Sequence, residues 1–309
     1  MKRLLIYSLL TLLSTSTLVA QNQKGEPVID FEGVTLYGNV KSAKISIYAL
    51  KPEGNKTVED LYAIHNFKLF KSGVVEEQAG YNSEGTLCYK VLNKVNEQGK
   101  LVESVEIDYQ ANPATQRKKC YEYGSNGKMS TCVLYDTDGS IVWKDVYKYD
   151  QKDNKVETIV YDGANALKYR IVIDYLEGGK QAFSASYLAD NTIEWKSYVR
   201  YNSNGQRSEE LSYDGEGKPE WRNVLEYDSN GNLTSVVKYN MAGEVINSRI
   251  SKYDKNNNVV EDSWSHKSED TPSRVLYKYD SKGNVIEHLL YYGGDAPLVK
   301  MKVEISYYE

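Results

Sequence analysis

Tyrosines recur along this chain at intervals that alternate between 12 and 14 residues. A fixed period longer than about 20 residues is the signature of a repeat array, in which each unit packs on its neighbours. The chain is therefore predicted to be a repeat protein with a 26-residue unit. The series consists of Tyr123, Tyr135, Tyr149, Tyr161, Tyr175, Tyr187, Tyr201, Tyr213, Tyr227, Tyr239 and Tyr253, and it resumes at Tyr279 and Tyr291.

A turn signal follows the tyrosines at a constant distance of four residues. The residue there is glycine, aspartate or asparagine, the types that best tolerate a positive φ. A type I turn followed by a left-handed bulge residue is a common hairpin connection, so each tyrosine should end a strand. The positions are Gly85, Gly99, Gly127, Gly139, Asp153, Asn165, Gly179, Asn191, Gly205, Gly217, Gly231, Gly243, Asn257, Gly283 and Asp295, with Val95 in the place of the tyrosine before Gly99.

Between the turns the side chains alternate with period two. Trp221, Leu225 and Tyr227 share one face, whereas Glu220 and Arg222 share the other. This pattern predicts strands with an apolar, aromatic face and a solvated face. On the order of 20 such strands make a sheet that cannot leave its aromatic face bare and must curl, fold over or close. We predict an all-β fold, an antiparallel meander of 26-residue hairpin repeats that forms an extended curled sheet with a tyrosine-rich inner face.

The first 20 residues have the pattern of a secretory signal peptide. Lys2 and Arg3 precede a short apolar run that ends at Leu13, and small or polar residues lead to a cleavage position after Ala20. We therefore expect an exported protein that is periplasmic, on the outer surface or secreted. The mature chain has no apolar segment long enough for a transmembrane span.

The remaining chain divides into two segments. Residues 21–80 are predicted to be atypical N-terminal capping strands with an insertion. Gly38 to Tyr48 has a strand pattern, whereas Thr57 to Phe70 has some helical spacing and is equally well explained as a short irregular insertion. Residues 81–309 form the hairpin repeat array. The net charge of −5 comes without a basic block that could neutralise phosphates, so nucleic acid is not expected as a partner.

Two segments resemble a known repeat. YDSNGNLTSVVKY, from Tyr227 to Tyr239, and YDSKGNVIEHLLY, from Tyr279 to Tyr291, resemble YD repeats of the RHS type. The resemblance covers about residues 81–309. It implies a small secreted tyrosine-glycine repeat protein of Gram-negative bacteria with a β-hairpin fold. The alternating spacing differs from that of the large RHS proteins, so encapsulation of a toxin is not expected.

The motifs of known catalytic and metal sites do not occur in the sequence. There is no nucleophile elbow, phosphate-binding loop or zinc-protease motif. His65, His266 and His288 lack ligand spacing, and His288 falls on the predicted solvated face. We therefore expect no catalytic residues, cofactor or bound metal, and a protein that is not an enzyme.

An aromatic column recurs six residues before every second tyrosine. Such rings could stack on the apolar faces of sugars as a ligand platform, or they could be the core of the curled sheet. Solvent-exposed indoles would favour the platform, and shielded indoles would favour the core. The column consists of Trp143, Tyr169, Trp195 and Trp221.

Cys120 and Cys132 flank the turn from Gly124 to Lys128. If Gly124 pairs with Lys128 and the register continues unchanged, the two cysteines face each other. We predict a cross-strand disulfide in the exported protein, whose alternative is two reduced neighbours. Cys88 would then remain unpaired.

These observations favour an exported, non-enzymatic scaffold that binds a protein or polysaccharide partner in the cell envelope, because repeat arrays usually supply binding surfaces. One alternative is a carbohydrate-binding or carbohydrate-active protein that uses the aromatic column. Another is a periplasmic immunity or antitoxin-like protein, by analogy with other short repeat proteins.

Overall fold

Twenty of the strands of this protein form one closed barrel. The computed structural model describes residues 27–54, 56–267 and 271–309, so the predicted signal peptide lies outside the described residues. The strands are β1 (Ile29–Phe31), β2 (Val34–Leu36), β3 (Val40–Glu53), β4 (Lys56–Leu69), β5 (Val75–Asn82), β6 (Leu87–Val95), β7 (Leu101–Asp108), β8 (Thr115–Tyr123), β9 (Met129–Tyr135), β10 (Ile141–Tyr149), β11 (Lys155–Asp162), β12 (Leu167–Tyr175), β13 (Gln181–Leu188), β14 (Ile193–Tyr201), β15 (Arg207–Asp214), β16 (Pro219–Tyr227), β17 (Leu233–Asn240), β18 (Val245–Tyr253), β19 (Val259–His266), β20 (Ser273–Tyr279), β21 (Val285–Tyr291) and β22 (Val299–Tyr307).

The closed barrel corrects our prediction of an extended curled sheet. Strands β3 to β22 pair antiparallel in chain order, and β22 then pairs with β3, from Val299 opposite Ala49 to Tyr307 opposite Val40. Closure leaves no exposed sheet edge, which would otherwise be two rows of unpaired backbone groups. A barrel of 20 tilted strands is about 40 Å across, too wide for one layer of side chains to fill. The barrel therefore encloses a lumen.

The N-terminal segment belongs to this barrel. Residues 56–69, where we expected an insertion, form strand β4 and pair with β3 and β5. The sequence suggested otherwise because the apolar residues of β4 do not alternate cleanly. Among the described residues, no helix is long and apolar enough to cross a membrane.

The predicted turns are present except at Asp295, which does not have a positive φ; in that longer loop Gly293 has a φ of 60° instead. In the β16–β17 turn, Asp228 N–H donates to the Asn232 carbonyl at 2.9 Å and Gly231 N–H donates to the Asp228 carbonyl at 3.0 Å. Gly231 has a φ of 84°, and Asn257 at the equivalent position of a later turn has a φ of 61°. The need for a left-handed residue thus explains why only glycine, asparagine and aspartate occupy the fourth position.

A β-bulge beside each turn changes the faces of the tyrosines. Tyr227 pairs with Leu233, but Glu226 pairs with Ser235, so one extra residue lies in β17. Because each such residue shifts the alternation by one, successive tyrosines point to opposite faces of the sheet. The tyrosine-rich inner face that we predicted is therefore wrong for half of the series.

Burial distinguishes the two faces of the barrel wall. Along β14, Ser197 and Val199 are buried, whereas Tyr198 between them is 41% exposed and Arg200 is exposed. Side chains crowd together on the concave side of a closed sheet and spread apart on the convex side. We therefore assign the face of Ser197 and Val199 to the lumen.

The outward tyrosines pack against cations from the neighbouring strand. Lys196 lies opposite Tyr213 with its ammonium 5.7 Å from the ring centroid, and Arg222 lies opposite Tyr239 at 5.1 Å. Distances below about 6 Å allow a favourable cation–π contact. The same arrangement occurs at Lys118 and Tyr135, Arg170 and Tyr187, and Arg274 and Tyr291.

The inward tyrosines bind the backbone instead. Each hydroxyl donates to a carbonyl oxygen on the preceding strand at 2.6–2.8 Å, so the polar end of the partly buried ring is satisfied. The donor and acceptor pairs are Tyr123 and Leu101, Tyr149 and Met129, Tyr175 and Lys155, Tyr201 and Gln181, Tyr253 and Leu233, and Tyr279 and Val259.

The apolar core lies at one sector of the lumen wall. Strands β1 and β2 form a separate two-stranded hairpin, which packs on the lumen face of β20 to β22, β3 and β4. Tyr37 N–H donates to Asn284 Oδ1 at 2.7 Å, which fixes the base of the hairpin beside the β20–β21 turn. The core side chains include Ile29, Val34, Leu36, Ile45, Ile47, Phe67, Val275, Leu290, Val299 and Met301.

Candidate binding site on the lumen wall

The aromatic column forms an arc on the lumen wall. Trp195 lies opposite Ser186 on one side and Asp214 on the other, and Trp221 lies opposite Ser212 and Asn240. Because the rings occupy alternate strands, neighbouring rings are roughly 10 Å apart along the wall. The arc comprises Trp143 on β10, Tyr169 on β12, Trp195 on β14 and Trp221 on β16, each near the first residue of its strand.

The rings of the arc are partly open to the lumen. Tyr169 is 38% exposed, and Trp143, Trp195 and Trp221 are of intermediate burial. Small side chains, such as the buried Ser186 and Ser212, separate them. The arc therefore lines a wall and does not pack against an opposite layer as the core of a closed sandwich would.

Bulges place carboxylates beside the indoles. Glu194 and Glu220 are the extra residues of two bulges, so they point to the lumen side instead of alternating outward. The hydroxyl of Ser186 donates to Glu194 Oε2 at 2.9 Å, and that of Ser212 lies 3.3 Å from Glu220 Oε2. Each of the two indoles thus has an adjacent carboxylate held by a serine.

Other polar groups extend this part of the wall. Glu210 accepts a hydrogen bond from Ser197 Oγ at 3.0 Å, and Asn223 Nδ2 lies 3.4 Å from its second oxygen. The ammonium of Lys238 lies 4.2 Å from the centroid of the Trp221 ring. Apolar ring faces and fixed acceptors and donors therefore occur together, which is the composition of a surface for a polar ligand with apolar faces.

A second cluster of titratable side chains lies on the lumen wall around Cys132, and burial shifts their pKa values. Tyr147 donates to Asp145 Oδ2 at 3.1 Å. Burial raises the pKa of the Cys132 thiol to about 11 and that of the Tyr121 hydroxyl to about 12. Burial also raises the pKa of the Asp145 carboxyl. Burial therefore keeps the Cys132 thiol protonated at neutral pH, and a protonated thiol is a poor nucleophile.

The predicted disulfide is not formed. Cys132 lies opposite Tyr121, and Cys120 lies opposite Val133, so the two thiols point to opposite faces. Gly124 does pair with Lys128 as we expected, with an N–H to O distance of 2.8 Å. The bulge beside Tyr123 then shifts the register by one residue, which our prediction did not include.

A bulge of the same kind changes the face of the sheet to which His288 points. The alternation placed it on the solvated face, but the bulge beside Tyr279 turns it to the lumen, where the hairpin tip covers it completely. The alternation likewise gave no reason to single out Glu194, Glu220, Glu210 or Lys238. For Glu194 and Glu220 the signal was their position three residues after the left-handed turn residue, Asn191 or Gly217, which locates the bulge. Among the described residues, no three His, Cys, Asp or Glu side chains converge as metal ligands.

Comparisons with known proteins give distant matches only. No family model and no curated protein matches the chain. A TcdB2-TccC3 structure matches 84% of this chain at 11% identity with a TM-score of 0.38, and this chain spans only 15% of that chain. A porin-like protein from Bacteroides uniformis matches 86% of this chain and 98% of its own, at 10% identity and a TM-score of 0.37.

A porin-like protein from Bacteroides vulgatus covers similar shares, 87% and 98%, at 10% identity and a TM-score of 0.24. These scores carry no argument about what this chain binds or does. The resemblance of its turns to YD repeats therefore stays a prediction.

Proposed function

We propose that this protein is an exported, non-enzymatic binding scaffold of the cell envelope, and that a polysaccharide is its ligand. The observation that supports this proposal most directly is the arc of partly exposed rings from Trp143 to Trp221 on a curved wall. The ring spacing of roughly 10 Å, two strand spacings, is close to the length of a disaccharide, so one glycan chain could stack on successive rings.

The polar groups of the arc suit the same ligand. Glu194, Glu210 and Glu220 are oriented by serine hydroxyls, and Asn223 adds an amide, so a sugar would meet acceptors and donors beside Trp195 and Trp221. The pattern at residues 1–20 supports export, where such polymers occur. We assign these carboxylates to recognition of sugar hydroxyls, for which a carboxylate oxygen is a suitable acceptor.

Titration with soluble oligosaccharides of two to eight units, followed by indole fluorescence, tests the proposal. We would use gluco-oligosaccharides and N-acetylglucosamine oligomers as the two probes. Affinity should rise with length up to the number of rings covered. Trp195→Ala and Trp221→Ala should each lower affinity about tenfold or more, the usual range for a lost aromatic anchor.

The matched control is Tyr198→Ala, which removes an exposed ring from the same strand as Trp195 but from the outer face. It should leave affinity unchanged. The proposal fails if the folded protein binds neither series, or if Tyr198→Ala weakens binding as much as Trp195→Ala. In that case affinity capture with envelope extract would test the protein-binding alternative.

A further inference from the structure

The β1–β2 hairpin is a small element whose position depends on packing. Its two strands have three residues each and pair only with one another. An isolated two-stranded hairpin is marginal in water, so contacts with the lumen wall hold this one in place. Val28 N–H donates to the Leu36 carbonyl at 2.8 Å, and Ile29, Val34 and Leu36 are buried against the wall.

The tip of the hairpin covers a histidine with unsatisfied nitrogens. A Cβ atom at Gly33 would lie 3.3 Å from Cε1 of His288, so the backbone of the tip sits directly on the imidazole. His288 is fully buried, and neither Nδ1 nor Nε2 has a hydrogen-bond partner among the described residues. A buried polar group in this state has a free-energy cost, and a proton on it would add a desolvated charge.

A second histidine contacts the hairpin from β4. The His65 ring centroid is 4.6 Å from that of Phe31, and its Nδ1 lies 2.9 Å from the Tyr89 hydroxyl. Tyr89 can approach because Gly80 lies under its ring, where a Cβ would be 2.2 Å from Cε1. Burial lowers the pKa of both His65 and His288 to about 4.

Few charged groups lie close enough to stabilise a protonated imidazole at His65 or His288. Met301 lies opposite His288, and the neutral Tyr277 ring packs 5.4 Å from it. On the hairpin, Asp30 is exposed to solvent, and burial raises the pKa of the Glu32 carboxyl.

Around Tyr277, Arg249 and Asp262 neutralise each other in an ion pair. Gln78 shares the Tyr89 hydroxyl beside His65. The groups that face the two imidazoles are therefore mostly neutral or already paired.

We propose that docking of the β1–β2 hairpin depends on pH. The hairpin leaves the lumen wall when His288 and His65 become protonated. A base whose pKa is lowered in the docked state binds its proton more readily when released. Docking is therefore fully stable above the ordinary histidine pKa of 6.5 and weakens as the pH falls from 6.5 towards 4. Glu32 changes the free energy of docking in the opposite direction, because protonation of its carboxyl favours docking. It is a single, less buried group, whereas two imidazoles favour release.

Hydrogen–deuterium exchange of the full chain, corrected for the intrinsic rate at each pH, tests this proposal. Peptides covering residues 29–36 should lose protection between pH 6.5 and 4, while peptides covering Pro219–Tyr227 remain protected. In the double variant His65→Phe with His288→Leu, the hairpin should stay protected down to pH 4. The control variant His266→Gln, which changes a histidine at the end of β19, should behave as the wild type.

Three results would overturn this proposal. The first is a hairpin that stays protected at pH 4 in the wild-type protein. The second is loss of protection in the hairpin and the barrel strands at the same pH. The third is a double variant with the wild-type midpoint. If the double variant does not fold, the single variants replace it, and each must move the midpoint to lower pH for the proposal to stand.

Discussion

Tyr201 and Gln181 are joined by a hydrogen bond of 2.7 Å from the tyrosine hydroxyl to the backbone carbonyl of the residue that begins β13. The same bond occurs at Tyr123, Tyr149, Tyr175, Tyr253 and Tyr279, each a multiple of 26 residues from Tyr201. It joins the two open ends of the β13–β14 hairpin on the lumen side of the wall. The repeat therefore includes a tyrosine–backbone bond across the open end of a hairpin as well as a turn.

We expect Tyr201→Phe to lower the free energy of unfolding by about 1 kcal/mol, because the Gln181 carbonyl loses a partner while the ring stays in place. Tyr213→Phe is the control, since its ring packs on Lys196 on the outer face. Urea denaturation followed by circular dichroism measures both. Equal losses for the two variants would contradict the assigned role of the inward hydroxyl.

The register of β8 and β9 predicts the chemistry of the cysteines. Mass spectrometry of the unreduced protein should show no Cys120–Cys132 bond. Cys120 should react with iodoacetamide at pH 8 faster than Cys132, whose thiol is buried and has a pKa raised to about 11. Peptide mapping after short labelling gives the comparison. A recovered disulfide, or preferential labelling of Cys132, would disprove the bulged register.

The Arg249–Asp262 pair should be important for stability. Asp262 is buried, and its two oxygens share the Nε–H of Arg249 at 2.9 and 2.8 Å. They also accept hydrogen bonds from Arg249 Nη2 and from Ser251 Oγ, the latter at 2.9 Å. Arg249→Met should destabilise the barrel by roughly 2–4 kcal/mol, because it leaves a buried carboxylate without its cation.

The double variant Arg249→Met with Asp262→Leu should recover much of the stability lost in Arg249→Met, since it removes both charges. Thermal unfolding of the two variants measures the difference. A double variant less stable than Arg249→Met would contradict this account.

Glu32→Gln should stabilise the docked hairpin at neutral pH. Burial raises the pKa of the Glu32 carboxyl, and Oε2 has no partner among the described residues. A raised pKa means that the protonated form favours docking and that this contribution is lost as the pH rises through the raised value. Hydrogen exchange of residues 29–36 at pH 7 should therefore be slower in the variant. The difference should shrink below pH 4.5, the ordinary glutamate value.

Much of the architecture could be predicted from the sequence because turn chemistry is local. Positive φ at Gly231 and Asn257 needs particular residue types, so the turns, and hence the approximate number of strands, could be predicted from the pattern. The all-β class followed directly. The bulges could not be seen in the pattern of alternation, because an extra residue such as Thr234 has no distinctive side chain.

Because the pattern of alternation leaves out the bulges, it predicts the wrong face of the sheet for several residues. It placed Tyr213 on the inner face and His288 on the solvent face, and it placed Cys120 opposite Cys132. Closure could not be predicted for a different reason. The pairing of β22 with β3 depends on the accumulated twist and tilt of 20 strands, which no single segment encodes.

The seam between β22 and β3 has a consequence for how the chain folds. Every other neighbouring pair in the barrel is consecutive in sequence, whereas Ser42 and Ser306 meet across the seam from 264 residues apart. The entropic cost of a long loop is therefore concentrated in one pairing. Sheet growth can proceed hairpin by hairpin while the chain is still emerging, but β3 keeps an open edge until the last strand arrives. Folding should thus be fast and local at first and end in a single slow closing step.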